Sequence, residues 1–189
     1  MIRREDVQLI IFEGRGANKH LLRWSKSFPH RWRARPPTRV RDYVALWRNQ
    51  QVREFLARTT LGWVWLIDDD MVPVPDTSLL LESESDVACC RCWSRTGTEA
   101  HPAEAEVSAA CLLVSRHALE AVGPPWFQVV LSADGTGLAK CECTYFAERM
   151  RAAGFTPAKL GRVGHIVPLV VLPGQGREDP FLVKFPKDL

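Results

Sequence analysis

The chain lacks several features that would place it in a specialised class of protein. No apolar stretch reaches the roughly 18 residues that a membrane-spanning helix needs, so a transmembrane protein is not expected. The first six residues, Met1 to Asp6, turn acidic before any long apolar region, which does not fit a signal peptide. Internal repeats and a domain linker are also absent from the sequence. We therefore expect one domain over residues 1–189, located in the cytoplasm.

The six cysteines are expected to be reduced thiols, because a chain without an export signal stays in a reducing compartment. Two clusters, Cys89-Cys90-Arg91-Cys92 and Cys141-Glu142-Cys143, could together form a zinc site. Structural zinc sites normally use pairs of cysteines separated by two to four residues, and only the first cluster contains such a pair. Cys90 and Cys111 are predicted instead to fill strand interiors as small apolar residues.

Acidic residues are scarce in the first third of the chain. Residues 1–60 carry 14 Lys and Arg against 5 Asp and Glu, whereas residues 61–189 carry 11 against 17. The basic excess peaks in segment 23–41, where three tryptophan and phenylalanine residues and three prolines are interleaved. This composition predicts a long, flexible basic loop, with room for a short helix. Its charge suits solvent or an anionic partner such as nucleotide phosphate, nucleic acid or a charged glycan.

The most informative segment places three carboxylates directly after an apolar run. Trp63 to Ile67 are five consecutive apolar residues, which predicts a strand buried on both faces, as in parallel or mixed α/β sheets. Asp68, Asp69 and Asp70 then lie at the carboxyl end of that strand, where open α/β sheets bind ligands. Adjacent carboxylates repel one another unless a cation lies among them, and hard oxygen ligands suit Mg²⁺ or Mn²⁺. A solvated acidic turn or a helix N-cap is the alternative interpretation.

Hydrophobic periodicity predicts the other elements. We expect strands at 7–12, 86–90, 108–115 and 126–131, a β-rich stretch at 160–172, and helices at 38–59, 77–84, 116–122 and 144–153. Loops are expected at 93–106 and 132–140, and the tail 173–189 is expected to form a flap. Trp63 and Trp65 are two residues apart and therefore lie on the same face of their strand, which favours core packing. For Trp126 and Phe127, core packing is favoured over stacking on a sugar or base.

Taken in order, these motifs resemble those of small GT-A-type glycosyltransferases of phages and bacteria, which transfer sugars from nucleotide-sugar donors. The resemblance spans about Tyr43 to Pro168, and its most specific part is the segment from Val64 to Pro73. It continues in Ala110–Val114, Gly123, Pro125-Trp126-Phe127, Glu142 with Phe146, Ala153-Gly154-Phe155 and Gly164-His165. It implies a single GT-A-like (Rossmann-like) α/β/α domain with a central mixed, mostly parallel sheet, working in the host cytoplasm if the chain is phage-encoded.

The resemblance also implies which residues hold the metal and the donor. Asp70 and His165 are expected to bind the ion, with Mn²⁺ preferred over Mg²⁺ because an imidazole ligand suits Mn²⁺ better. Asp68 is expected to face the ribose or sugar of the donor, for which a UDP-sugar is the first choice. Asp69 is expected to lie beside Asp68 in the donor-binding site and to have a mainly structural role. Taken alone, His165 would be interpreted as a hydrogen-bonded structural histidine.

Arg48-Asn49 matches the family's Arg-Asn pair and is expected to contact the phosphate or base of the donor, although an exposed helix charge has the same sequence signal. Glu142 is expected to be the general base that accepts the acceptor's proton. A carboxylate stabilised at a helix N-terminus is the alternative. The family usually shows Glu-Asp at this place, whereas this chain has Glu142-Cys143. Asp134 is therefore a second candidate base, and the anomeric outcome stays open.

Several functions remain compatible with the sequence. The first is a metal-dependent glycosyltransferase that moves a sugar from a nucleoside-diphosphate sugar to an acceptor hydroxyl. A hydroxymethylated base in phage-type DNA would suit the basic segment 23–41, and a glycan or protein acceptor fits the family equally well. The alternatives are a zinc-stabilised nucleic-acid-binding module and a metal-dependent nuclease built on the triple aspartate.

Overall fold

A buried central sheet organises the chain in the computed structural model, which describes residues 1–14, 17–35, 44–92, 107–168 and 181–184. Its strands are β1 (Val7–Phe12), β2 (Arg31–Ala34), β3 (Trp63–Asp68), β4 (Met71–Pro73), β5 (Val87–Arg91), β6 (Cys111–Ser115), β9 (Ala158–Pro168) and β10 (Phe181–Lys184). A separate small hairpin contains β7 (Val130–Leu131) and β8 (Leu138–Lys140). The helices are α1 (Lys19–Ser25), α2 (Val44–Arg58), α3 (Arg116–Val122) and α4 (Glu142–Ala152), with 3-10 helices at Arg4–Asp6 and Pro75–Glu82.

The direction of the strands confirms a mixed, mostly parallel sheet. Their order is β10-β9-β5-β6-β3-β1-β2, and β4 pairs with β9 beside this path. Strands β2, β1 and β3 are parallel to one another, β6 is antiparallel to both of its neighbours, and β9 is parallel to β5. Five of the seven strands along this described path therefore point the same way. The domain is α/β, as the sequence predicts.

Strand β3 is buried on both faces, also as predicted. Val64 and Leu66 face one apolar cluster, to which α2, α3 and α4 contribute side chains. Trp65 and Ile67 face a second cluster on the opposite side, formed with α1 and the 3-10 helix Pro75–Glu82. All four side chains are fully buried. Because the side chains of a strand alternate between its faces, an unbroken apolar run is needed when helices cover both sides.

The flexible loop predicted for 23–41 is wrong over the part that the structure describes. Helix α1 ends at Ser25, and Arg31–Ala34 forms edge strand β2, parallel to β1. Arg31 and Arg33 are exposed, whereas Trp32 and Ala34 pack against the core cluster of α2. An edge strand tolerates charged side chains, so the high arginine content concealed a normal alternation. Residues 36–41 lie outside the described residues.

Other boundaries differ in smaller ways. Part of the predicted tail, Phe181–Lys184, forms a strand antiparallel to β9, and the predicted loop 132–140 contains half of the β7–β8 hairpin. The strand predicted at 126–131 is reduced to Val130–Leu131, and β4 was not predicted. The helix predicted at 38–59 is confirmed for Val44–Arg58. Its expected start at Thr38 and the loop expected at 93–106 lie outside the described residues.

Strand β9 changes neighbours along its length. Its first half pairs with β5, and its second half pairs with β4, where His165 lies opposite Met71. Near the end of the first half, Gly161 has a φ of 65°, and a Cβ atom added there would collide with the carbonyl oxygen of Asp76. Only glycine allows this backbone conformation and this close approach to the 3-10 helix Pro75–Glu82. The strand can then continue to the edge of the sheet that carries the aspartates.

Candidate active site

The three aspartates lie where two parallel strands end side by side. Phe12, the last residue of β1, is the register partner of Asp68, the last residue of β3. The Asp69 amide donates a hydrogen bond of 3.1 Å to the Phe12 carbonyl, which fixes the turn that follows β3. The carboxylates therefore stand at the carboxyl edge of the sheet, the ligand-binding edge of open α/β folds.

The structure brings together the two residues that were predicted to bind a metal. His165 Nε2 lies 3.2 Å from Asp70 Oδ2, although the residues are separated by 95 positions. The Ile166 amide also donates a 2.8 Å hydrogen bond to the Asp70 carbonyl, so the two backbones are held together. The Asp70 and His165 side chains are 19% and 11% exposed, respectively, so both are largely buried but keep some contact with solvent.

Arg48 is buried between two candidate carboxylates. Its Nη2 donates to both carboxylate oxygens of Asp68, at 2.7 and 2.9 Å, and its Nη1 donates to Glu142 Oε1 at 2.9 Å. The guanidinium lies over the rings of Phe12 and Phe127, with its central carbon 5.6 and 5.9 Å from the ring centres. Only 2% of the side chain is exposed. This geometry favours a role in positioning Asp68 and Glu142 over the direct phosphate or base contact predicted from the sequence.

Asp68 has an unusual protonation equilibrium. Burial, together with the nearby charges of Asp70 and Asp69, raises the pKa of Asp68 to about 6, although Arg48 opposes the shift. For Arg48, burial alone would lower the pKa, but the charges of its carboxylate partners outweigh burial and hold the pKa above its ordinary value. Burial and the neighbouring carboxylates therefore disfavour the charged form of Asp68. A cation bound beside it would favour that form.

Asn49 holds a loop in place. Its Nδ2 donates to the Phe127 carbonyl at 2.6 Å, and its Oδ1 accepts from the amides of Trp126 and Phe127 at 2.8 and 3.0 Å. Both aromatic side chains are buried, as predicted, and Phe127 stacks on Phe146 of α4 with ring centres 4.7 Å apart. These contacts favour a structural role for Asn49 over the donor contact predicted from the sequence.

Asn18 is a residue of the site that sequence reasoning missed. Its side-chain amide donates to the carbonyls of Asp69 and Met71 at 2.9 and 2.8 Å, so it holds the turn that carries the aspartates. Its Oδ1 accepts from the Leu21 amide at 3.0 Å and caps α1. An asparagine before a helical segment is a recognisable N-cap signal. The backbone carbonyl of Asp69 therefore helps to hold the turn in place. The sequence also predicted a mainly structural role for Asp69.

Glu142 is the first residue of α4, where the helix dipole stabilises a carboxylate. Its neighbours are thiols held by backbone amides: Cys141 Sγ accepts from Thr144 N, and Cys143 Sγ accepts from Ala109 N, each at 3.4 Å. A hydrogen bond with Cys141, burial and the charge of Glu142 raise the pKa of Cys143 well above its ordinary value. Cys143 is therefore a neutral thiol at neutral pH and a poor proton acceptor.

The zinc site considered from the sequence is not formed in the described part of the chain. There, the one group of three potential ligands whose ligand atoms lie within 4.8 Å of one another is Cys141, Glu142 and Cys143. Cys89 and Cys92 are buried, and their thiols contact the amide and the hydroxyl of Ser108, respectively. Cys90 and Cys111 are fully buried in strands, as expected for small apolar residues.

Asp134 belongs to a self-contained turn between β7 and β8. Its carboxylate accepts hydrogen bonds from the Ser132 hydroxyl and from the amide and hydroxyl of Thr136. These bonds, that of Ser132 first, lower the pKa of Asp134 to about 2. A carboxylate of such low basicity is a poor proton acceptor. The geometry therefore favours a structural role over the second candidate base predicted from the sequence.

Glu13, next to Phe12 at the end of β1, is a second residue that sequence reasoning did not assign. Its side chain is 3% exposed and pairs with the guanidinium groups of Arg33 and Arg35. The Ala17 amide also donates to it, at 3.3 Å. Burial alone would raise the pKa of Glu13, but these hydrogen bonds outweigh burial and hold the pKa below its ordinary value.

Comparison with known proteins identifies the fold. No protein-family model and no curated protein matches the chain. Among solved structures, the crystal structure of A197 from STIV is similar, with a TM-score of 0.61 and 16% sequence identity over 87% of this chain and 86% of that one. At this identity the likeness shows the fold alone. In the described residues, no helix is long and apolar enough to cross a membrane.

Proposed function

We propose that the protein is a metal-dependent glycosyltransferase that moves a sugar from a nucleoside-diphosphate sugar to an acceptor hydroxyl. The observation that carries the proposal is the contact between Asp70 Oδ2 and His165 Nε2, 3.2 Å apart at the carboxyl edge of the sheet. The two residues are separated by 95 positions in the chain, so the fold brings them together. The motif resemblance and the Rossmann-like α/β fold support the same conclusion.

The donor atoms of this pair suit a divalent ion. Two neighbouring ligands of an octahedral ion with bonds of about 2.1 Å lie about 3 Å apart, close to the separation of Asp70 Oδ2 and His165 Nε2. A carboxylate and an imidazole together favour Mn²⁺, and Mg²⁺ is the second choice. Such ions take their remaining ligands from water and substrate phosphates. A bound ion would stabilise the charge of the departing diphosphate.

The residues around the pair would orient the donor. Asp68 stands two residues before Asp70 and keeps its carboxylate fixed by the two hydrogen bonds from Arg48. It can accept hydrogen bonds from the ribose or sugar hydroxyls of a donor, for which a UDP-sugar is our first choice. Because Arg48 also holds Glu142, the donor-binding carboxylate and the candidate base are placed by one side chain.

Glu142 is the candidate base. Its side chain is 21% exposed, so an acceptor hydroxyl can approach it, and the hydrogen bond from Arg48 Nη1 holds its carboxylate in one orientation. A carboxylate within hydrogen-bond reach can accept the proton of a hydroxyl as that hydroxyl attacks the sugar. The neutral Cys143 thiol leaves Glu142 as the proton acceptor of the Glu142-Cys143 pair.

Donor binding is tested by thermal unfolding with UDP, GDP and their sugars, with and without Mn²⁺. We expect UDP with Mn²⁺ to raise the melting temperature, because a ligand that binds only the folded state stabilises it. Asp70→Ala and His165→Ala should abolish this rise, whereas Glu84→Ala, an exposed acid of the loop before β5, should retain it. The proposal is wrong if no nucleoside diphosphate stabilises the protein or if Asp70→Ala leaves the rise unchanged.

The base is tested by nucleotide release from the donor. Glu142→Gln should lower turnover by at least about a hundredfold while donor binding persists, which is the usual scale of general base catalysis. Cys143→Ser is the matched control and should retain turnover within about twofold. Equal losses in the two variants would contradict the assignment. Metal-dependent DNA cleavage without nucleotide release would instead support the nuclease considered from the sequence.

A further inference from the structure

We infer that the groove between α1 and edge strand β2 binds the phosphate backbone of a nucleic acid that serves as the acceptor. The inference rests on the proposed function, because it names the acceptor of that reaction. It is carried by three observations: a one-sided charge, a cavity lined by cations and aromatic surface, and a direct connection from this groove to the aspartate turn.

The charge of this surface is of one sign. Residues 17–35 contain six Lys and Arg, two His and no Asp or Glu. Lys19 and Arg23 of α1 and its C-cap residue Lys26 follow one another at spacings of four and three residues, and all three are exposed. In β2, Arg31 and Arg33 are exposed on one face. Because Glu13 pairs with Arg33 and Arg35, the charge available to a polyanion lies mainly on the exposed Lys19, Arg23, Lys26 and Arg31. A surface of this kind attracts a polyanion and releases its counterions on binding.

The groove itself has a volume of about 420 Å³ and is lined by Ile11, Leu22, Ser25, Lys26, Arg31, Trp32 and Arg33. Arg31 Nη1 donates to the Phe28 carbonyl at 2.7 Å, so this guanidinium is held in place. The guanidinium of Arg33 is held by the carboxylate of Glu13. Two ordered arginines on the same face of a strand are separated by about 7 Å along the chain. That spacing suits successive phosphates of an extended nucleotide strand, whereas a free phosphate would occupy only one of them.

The groove leads to the candidate active site. Strand β2 is parallel to β1 and β3, so its carboxyl end lies at the same edge as the aspartates. Arg35 continues the series past the end of β2 and contacts Glu13. On the other side of the groove, α1 begins at its cap Asn18, which is hydrogen bonded to the Asp69 carbonyl. A strand bound along β2 would therefore be directed towards Asp68 and Glu142.

The test is binding of fluorescein-labelled DNA, single-stranded and duplex, to the full chain by fluorescence anisotropy between about 50 and 200 mM KCl. Lys26→Gln/Arg31→Gln should weaken binding uniformly across sequences and reduce the salt slope by about 2, or about 1 for each lost phosphate contact. Lys19→Gln/Lys26→Gln changes only exposed side chains of α1 and its C-cap and repeats the test without changing β2. The matched control is Arg53→Gln/Arg58→Gln, which removes two exposed charges from α2 on the opposite face of the sheet.

An unchanged slope in both groove variants, or an equal loss in the α2 control, would overturn the inference and leave the arginines as protection of an edge strand. Equal competition by heparin and by DNA at matched charge would also overturn it in favour of a charged glycan. Thermal shifts with UDP and Mn²⁺ on the same variants separate this inference from the proposed function. A donor shift without groove-dependent DNA binding refutes the groove alone. Groove-dependent DNA binding without any donor shift refutes the transferase and the acceptor role, and supports only the phosphate-binding groove.

Discussion

Two ion clusters at the carboxyl edge of the sheet are built as opposites of each other. In the first, a buried cation, Arg48, lies between two partly exposed carboxylates, Asp68 and Glu142. In the second, a buried carboxylate, Glu13, lies between two exposed arginines, Arg33 and Arg35. A buried charge has lost its hydration and depends on its partners for stabilisation. The partly exposed partners are still hydrated, so they depend less on the buried charge. In each cluster, removing the exposed partners should therefore destabilise the fold more than removing the buried residue.

The largest expected effect is in the Arg48 cluster. The double variant Asp68→Asn/Glu142→Gln keeps the shapes of both side chains but leaves the buried guanidinium without an opposite charge. We expect its free energy of unfolding, measured in urea at neutral pH, to fall by about 3–5 kcal/mol. Arg48→Met should have a smaller effect, since it leaves carboxylates that are 30% and 21% exposed and that water can reach. A larger loss for Arg48→Met would contradict the comparison.

The Glu13 cluster should show an intermediate effect. Arg33→Gln/Arg35→Gln leaves the buried carboxylate of Glu13 with weaker partners. We expect the free energy of unfolding in urea to fall by about 1–3 kcal/mol. Glu13→Gln leaves two exposed arginines and should cost less.

The pH dependence of this loss gives a second measurement. The pKa of Glu13 is held below its ordinary value of 4.5, so the folded state binds this proton less tightly than the unfolded state. Its stabilising effect is therefore present above that value and is lost as the pH falls through the folded pKa. Glu13→Gln should flatten this part of the stability curve, and a curve identical to that of the native protein would contradict the assignment.

A smaller effect is expected at Asn49. Asn49→Ala removes three hydrogen bonds to the backbone of Trp126 and Phe127, and we expect the free energy of unfolding to fall by about 2 kcal/mol. The neighbouring exposed amide provides the control, since Gln50→Ala should leave stability nearly unchanged. If Asn49→Ala removes donor binding without loss of stability, then Asn49 contacts the donor and the structural role is wrong.

The smallest effect is expected at Asp134. Its contacts lie within the exposed β7–β8 turn, so Asp134→Asn should leave both the melting temperature and nucleotide release close to those of the native protein. A strong loss of turnover with normal donor binding would restore Asp134 as a candidate base in place of Glu142.

The sequence predicted those features that depend on local patterns. The unbroken apolar run of β3 and the acids after it identify a buried strand and its carboxyl end without any knowledge of the partners. Helix α3 was also predicted at its observed bounds, and α4 within two residues. Strand β2 was missed because the alternation of only four residues was masked by arginine content. Basic composition predicts solvent exposure, but it does not distinguish an edge strand from a loop.

The contacts of the candidate site were predictable only in part. The motif order placed Asp70 and His165 in one site, and the structure shows them in contact. The roles favoured for Arg48 and Asn49 depend on partners that are distant in the chain, such as Glu142 and Phe127, and no local pattern contains that information. The same is true of Glu13, whose burial follows from the arginines of a strand that the sequence did not reveal.

Gly161 shows that a functional site can restrict substitutions at a residue that contributes no atom to it. Any side chain there would collide with the Asp76 carbonyl, and the strand that carries His165 begins its second half just beyond it. In a mutational survey of this gene scored by activity, position 161 should tolerate as few substitutions as Asp70, although it contributes no atom to the chemistry. Intolerance to substitution would therefore mark the backbone path to the site as clearly as the site itself.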